Sequence, residues 1–138
     1  MLEKEGLILR KKETNATFFK ATMSSEFRAL KVAHTVSLME ERGIVDFING
    51  SSSRLTSILL YGSAAKGEDG PMSDYDFLVI ASKCDADMLE LGERLGRECS
   101  LQSYTLPEWK NVSRKNRAFY LEVISGSVSL KGQKPVID

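Results

Sequence analysis

The sequence predicts an α/β (α+β) fold in which a small mixed β-sheet is flanked by helices and is preceded by an N-terminal β-hairpin plus helix. From Leu55 onward, short apolar runs alternate with segments of helical periodicity in the order strand, strand, helix, strand, helix, strand. The first two runs are apolar at successive positions, which is typical of central strands covered on both faces. At 138 residues the chain is too small for a doubly wound sheet.

Composition and charge exclude several classes of protein. Nineteen Lys and Arg balance nineteen Asp and Glu, so overall charge gives no argument for nucleic acid or an acidic membrane as partner. Cys84 and Cys99 lack a short paired spacing, so we expect neither a zinc site nor a disulfide framework, and a cytoplasmic location follows. No apolar run approaches the roughly 20 residues that span a bilayer, and the N-terminus lacks the layout of a signal peptide.

Residues 1–50 are predicted to form an appendage to a main domain at residues 51–138. Residues 6–13 and 17–23 have the pattern of two hairpin strands, whose basic residues suit a solvated sheet edge. A helix follows, capped by Ser24 or Ser25 and ended by Gly43, with a short helical continuation at 44–48. The Asn-Gly-Ser-Ser-Ser stretch at 49–53 is the predicted boundary.

The main domain contains the alternating pattern. Strands are predicted at 55–61, 74–81, 99–105 and 127–130, and a helix at 86–97. Pro107 begins a second helix, as proline does at a first helical position, and this helix is predicted to continue to Gly126. The tail from Lys131 is predicted to fray.

Small residues follow the first strand of this domain. Gly62 lets backbone approach a phosphate closely, and Ser63 offers a hydroxyl and an N–H group. Lys66 adds a positive charge suited to a triphosphate. The alternative is a tight strand-to-helix junction that simply needs small residues.

Two carboxylates lie at the start of the next strand, after Ser73. Asp74 and Asp76 are two residues apart and therefore point to one face of an extended strand, where both can reach one cation. Mg²⁺ suits such a site, because it takes a few carboxylates and completes its shell with phosphate and water. The alternative is a turn at Ser73-Asp74 in which Asp76 pairs with a lysine or arginine.

The combined spacing Gly-Ser-x9-Ser-Asp-x-Asp between apolar strands resembles the signature of the DNA polymerase β-like nucleotidyltransferase superfamily, and in particular its minimal archaeal and bacterial members. The resemblance covers about residues 55–130. It implies the nucleotidyltransferase fold and transfer of a nucleotidyl group from an NTP, ATP first, to an acceptor hydroxyl. It also implies that Gly62, Ser63, Lys66 and Ser73 bind the nucleotide and that Asp74 and Asp76 hold Mg²⁺.

The family has a third catalytic carboxylate on the following strand, and this chain departs from that pattern. Ser100 stands where the aspartate is expected, and Glu98, two residues earlier on the same strand face, is the nearest substitute. Gln102 shares that face without a charge. We therefore expect Glu98 to act with Asp74 and Asp76, or else the chain is a catalytically impaired nucleotide-binding or regulatory module.

The resemblance also suggests partners. Minimal members of the family work beside a helical HEPN-type partner protein in toxin–antitoxin pairs, so the acceptor hydroxyl is expected on such a partner. Residues 2–13 and 17–21 resemble the wing of a winged-helix DNA-binding domain, which implies weak DNA contact through Arg10, Lys11 and Lys12. The alternatives for this segment are pairing of copies in a homo-oligomer or a DNA-binding regulator.

Overall fold

The computed structural model describes residues 24–138, where helices cover both faces of a four-stranded sheet. The predicted hairpin at 6–13 and 17–23, with its cations Arg10, Lys11 and Lys12, lies outside the described residues. In chain order the elements are α1 (Ser25–Glu41), α2 (Ile44–Gly50), β1 (Ser52–Ser53), β2 (Ser57–Tyr61), β3 (Tyr75–Ile80), β4 (Lys83–Cys84), α3 (Met88–Leu95), β5 (Cys99–Tyr104), α4 (Leu106–Lys115), α5 (Arg117–Gly126) and β6 (Val128–Lys131).

The main sheet is mixed, which confirms the predicted fold class. Its strand order is β5-β3-β2-β6, with β2 antiparallel to both β3 and β6 and β3 parallel to β5. All residues of β2 and all but one of β3 are buried, as expected for central strands. The short strands β1 and β4 form a separate antiparallel pair that the sequence did not indicate.

Alternation along the central strands divides the core between two faces. Side chains that point to one face of the sheet pack against α1, α2 and α3 and form a hydrophobic cluster. This cluster includes Met39, Ile44, Ile48, Ile58, Leu60, Phe77, Val79 and Leu91. Each such fully buried aliphatic side chain stabilises the fold by about 2 kcal/mol. This cluster joins residues on both sides of position 50, so the two predicted domains share a hydrophobic core here. The predicted domain boundary at 50 stays a prediction.

The opposite face is covered by α4 and α5. Leu59, Leu78 and Ile80 pack there against the buried Trp109 and Val123. The prediction of one continuous helix from Pro107 to Gly126 is wrong. The chain breaks at Asn116 (φ −130°, ψ 67°), whose side chain accepts the N–H of Phe119 and so begins a second helix.

Helix ends follow the capping signals in the sequence. The Ser24 hydroxyl accepts the N–H of Phe27 at 3.2 Å, and Asp87 accepts the N–H groups of Leu89 and Glu90. Among residues 24–138, no helix combines the length and apolarity needed to cross a membrane.

The C-terminal tail is bound to the helical layer, so the predicted fraying is wrong. The indole N–H of Trp109 donates to the Pro135 carbonyl at 2.7 Å, and the Tyr120 hydroxyl accepts the N–H of Ile137 at 2.7 Å. These bonds satisfy polar groups of two otherwise buried aromatic side chains, which favours the attached state.

Candidate active site

The turn after β2 brings its backbone against a carboxylate of β3. Gly62 has φ +79°, and a Cβ built on it would lie 2.5 Å from Oδ2 of Asp76. Only glycine fits this position without moving the carboxylate. Ser63 then begins one 3₁₀ turn, Ala64–Lys66, and its carbonyl accepts the N–H groups of Lys66 and Glu68 at 3.1 and 3.0 Å. The small residues therefore serve a tight junction and also leave backbone next to a carboxylate.

Asp76 lies between two strands that complete its surroundings. Its register partners are Tyr61 on β2 and Ser100 on β5. The Ser100 hydroxyl donates to Oδ1 of Asp76 at 2.7 Å, while Oδ2 faces Gly62. Within the described part of the chain Asp76 forms no ion pair with lysine or arginine, so the alternative expectation of such a partner is not met.

Asp74 and Glu98 each lie one residue before a strand, and both line a cavity of about 300 Å³ together with Ser73. Both are exposed, and the neighbouring backbones are joined by a hydrogen bond from the Tyr75 N–H to the Glu98 carbonyl at 3.0 Å. In residues 24–138, however, no three His, Cys, Asp or Glu side chains are grouped to hold a metal ion. The register of β3 and β5 thus pairs Asp76 with Ser100, while Asp74 and Glu98 line one cavity just before the paired residues. Glu98 as third carboxylate stays a prediction.

Two predicted nucleotide ligands have contacts of their own. The Ser73 hydroxyl accepts the N–H of Gly70 at 2.9 Å and so closes the turn before Asp74. The Lys66 side chain lies along the end of α5, where a Cβ built on Gly126 would be 3.0 Å from its Cε. A helix C-terminus favours such a cation, and the nucleotide contact of Lys66 stays a prediction.

A buried ion pair that the sequence did not indicate holds the loop between β2 and β3. The Asp69 side chain is 1% exposed; its Oδ2 accepts from Arg97 Nη1 at 2.6 Å, and Lys31 Nζ lies 3.3 Å from Oδ1. Burial opposes ionisation of Asp69, but the Arg97 hydrogen bond and the Lys31 charge outweigh it and lower its pKa below 3.8. Asp69 therefore fixes this loop to α1 and to the residues before β5.

A chain of hydrogen bonds crosses the sheet face beside Asp76. Gln102 Nε2 donates to the Tyr61 hydroxyl at 3.1 Å, and the Tyr104 hydroxyl donates to Gln102 Oε1 at 2.5 Å. Burial, followed by the Asp76 charge, raises the pKa of Tyr61 to about 12. Tyr61 is therefore a neutral hydroxyl at neutral pH, and it accepts the hydrogen bond of Gln102.

Cys99, the cysteine next to the two aspartates, favours the protonated thiol. Burial, with the charges of Asp74 and then Asp76, raises the pKa of Cys99 to about 11. The thiol is thus protonated at neutral pH, and the thiolate is the reactive form.

The chemistry that the site as a whole supports is electrostatic stabilisation, in which backbone amides and carboxylates would surround a charged phosphate.

Comparison with known proteins agrees with this geometry. The model of the nucleotidyltransferase domain family matches residues 39–125, which is more than half of the chain and includes Gly62, Asp76 and Glu98. No curated protein matches the sequence significantly.

Three solved toxin–antitoxin structures share the fold. One, determined with AMP-PNP, is 20% identical over 66% of this chain and 72% of that chain, with a TM-score of 0.51. An MntA–HpeT mutant with two aspartates replaced by glutamate is 17% identical over 68% and 74%, with a TM-score of 0.52. A second MntA–HpeT mutant, with a tyrosine replaced by alanine, is 19% identical over 68% and 73%, with a TM-score of 0.50. At these identities the likeness concerns the fold, and the family match carries the assignment: the chain belongs to the nucleotidyltransferase domain family.

Proposed function

We propose that this protein is a cytoplasmic nucleotidyltransferase that transfers a nucleoside monophosphate, AMP first, from an NTP to a hydroxyl of a partner protein. The observation that carries the proposal is the contact between the Gly62 backbone and the Asp76 carboxylate. In this proposal the turn at Gly62 binds phosphate and Asp76 binds a cation, so their contact would bring together what a metal–nucleotide complex requires.

The residues present fit a divalent cation. Asp76 Oδ1 already accepts the Ser100 hydroxyl, and Oδ2 has no protein donor among the described residues, so an oxygen remains for a hard cation. Asp74 is exposed one residue before the same strand. Asp74 and Asp76 would hold Mg²⁺, which when bound neutralises phosphate charge. This chain supplies backbone N–H groups near Ser63 and the Tyr61 hydroxyl as further donors.

The acceptor is inferred from the neighbours. The structures with this fold were solved as toxin–antitoxin pairs, one of them with AMP-PNP. We therefore infer a partner-protein hydroxyl as acceptor, on a helical HEPN-type toxin or antitoxin, and adenine as the preferred base.

Calorimetric titration with ATP and Mg²⁺ tests the site. Asp74→Ala and Asp76→Ala should each weaken Mg²⁺-dependent ATP binding at least tenfold, because each removes a charged cation ligand. Asp85→Ala is the matched control, since Asp85 is an exposed aspartate that pairs only with Lys83 at the surface among residues 24–138. Unchanged affinity in both site variants would exclude this assignment.

A second candidate is a nucleotide-binding regulatory module without efficient transfer. It is favoured by Ser100, which lies beside Asp76 where a carboxylate would serve a second cation. Incubation with ATP labelled at the α-phosphate, Mg²⁺ and the protein encoded next door separates the two. Label on the partner supports transfer, and ATP binding without label supports the module. DNA contact through Arg10, Lys11 and Lys12, and homo-oligomer formation, stay predictions.

A further inference from the structure

A basic cavity lies between α4, the start of α5 and the C-terminal tail. Its volume is about 550 Å³. Lys110 and Arg114 are four residues apart on one face of α4, and Arg117, the first residue of α5, lines the same cavity. Leu106, Val136 and Ile137 form an apolar wall of the same cavity.

The cavity is lined by three cationic side chains and one acidic residue. No acidic residue occurs between Glu108 and Glu122 in the sequence. Within residues 24–138, Lys110, Arg114 and Arg117 make no ion pair, although the carboxylate of Asp138 also lines the cavity. The net charge of the whole chain is zero, but cationic side chains are concentrated at this cavity.

Arg117 and the apolar wall of the cavity are held in place by contacts of their own. Arg117 donates to the Ser113 carbonyl at 3.3 Å and lies over the Tyr120 ring, 5.0 Å from its centroid. The apolar wall is fixed because the tail is hydrogen-bonded to Trp109 and Tyr120. Leu106 and Val136 nevertheless remain 47% and 59% exposed, so apolar surface is open beside the cations.

This cavity is separate from the candidate active site. None of the residues that line the cavity is one of the predicted site residues between Gly62 and Glu98.

We propose that this cavity binds an organic phosphate monoester, with the phosphate on Lys110, Arg114 and Arg117 and the organic group against Leu106 and Val136. Arginine guanidinium groups pair with phosphate oxygens in a bidentate geometry. The cavity volume suits a ligand of the size of a single nucleotide better than a long polymer that would need an extended surface. Such a phosphate occurs in a free nucleotide or at the 5′ end of an RNA.

Calorimetric titration of the full chain with AMP in EDTA tests the proposal, because chelation removes the cation on which the Asp76 site depends. We expect saturable AMP binding, no binding of adenosine, and about tenfold weaker AMP binding in Arg114→Gln and in Lys110→Gln. Lys115→Gln is the matched control: Lys115 is exposed on the same helix and does not line the cavity. Binding should survive Asp76→Ala.

Several results would overturn the proposal: no AMP binding, equal weakening by Lys115→Gln, or AMP binding that is lost in Asp76→Ala and kept in Arg114→Gln. Binding of a glutamate-rich peptide that depends on Arg114 while AMP does not bind would also overturn it. A 5′-phosphorylated RNA hexamer distinguishes the sources. Tighter binding than AMP supports an RNA end, and weaker binding supports the free nucleotide.

Discussion

The buried Asp69 ion pair allows a direct test of what holds the site loop in place. Asp69→Asn preserves the side-chain shape and removes the charge that Arg97 and Lys31 face. Removing one partner of a buried pair costs about 3–5 kcal/mol. The cations that remain are 22% and 29% exposed and are partly hydrated, so we expect a loss near the lower limit, about 3 kcal/mol of unfolding free energy.

Urea denaturation followed by circular dichroism measures this loss, and its pH dependence identifies the charge. The folded-state pKa of Asp69 lies below 3.8, so its contribution is complete above that pH and is lost as pH falls through the folded-state pKa. The difference between the parent protein and Asp69→Asn should therefore be constant near neutral pH and shrink in acid below pH 3.8.

Asp85→Asn is the matched control, because its pair with Lys83 at 3.4 Å is 69–71% exposed and should contribute less than about 1 kcal/mol. In Asp69→Asn the loop between β2 and β3 loses its ion pair with α1. Gly62 should then shift relative to Asp76, and Mg²⁺-ATP binding should weaken. Equal stability losses in Asp69→Asn and Asp85→Asn, or a difference that does not change in acid, would refute the role assigned to this pair.

Three further changes test the site itself. Gly62→Ala should weaken Mg²⁺-ATP binding at least tenfold while costing about 1–2 kcal/mol of stability, because its Cβ displaces Asp76 and φ is positive; parent-like affinity by calorimetry would contradict this. Glu98→Gln should lower the rate of label transfer and leave ATP affinity unchanged if Glu98 serves the second cation, and an unchanged rate would exclude that role. Tyr61→Phe keeps the edge-to-face packing on Phe119 and removes one hydroxyl donor, so we expect about tenfold lower kcat/KM with a similar melting temperature. A rate equal to that of the parent would show that this hydroxyl does not contact the reactants.

The sequence alone predicted the features that depend on neighbours along the chain. Apolar runs located β2 and β3, and Ser24 and the Pro107 region located helix starts. It also suggested that Gly62 and Asp76 belong to one site. The two residues do lie side by side, because β2 and β3 are adjacent antiparallel strands and the end of one meets the beginning of the next.

The tertiary structure alone decided which side chains meet across the fold. Asp69 contacts Lys31 and Arg97 at separations of 38 and 28 residues, and Ser100 reaches Asp76 across 24 residues through a parallel pairing. No local pattern encodes such contacts, because they depend on the packing of whole helices and strands around a shared core. Periodicity and turn chemistry act over a few residues and therefore determined the elements. The pairing of β3 with β5 determined that Asp76 faces the hydroxyl of Ser100 and not a carboxylate.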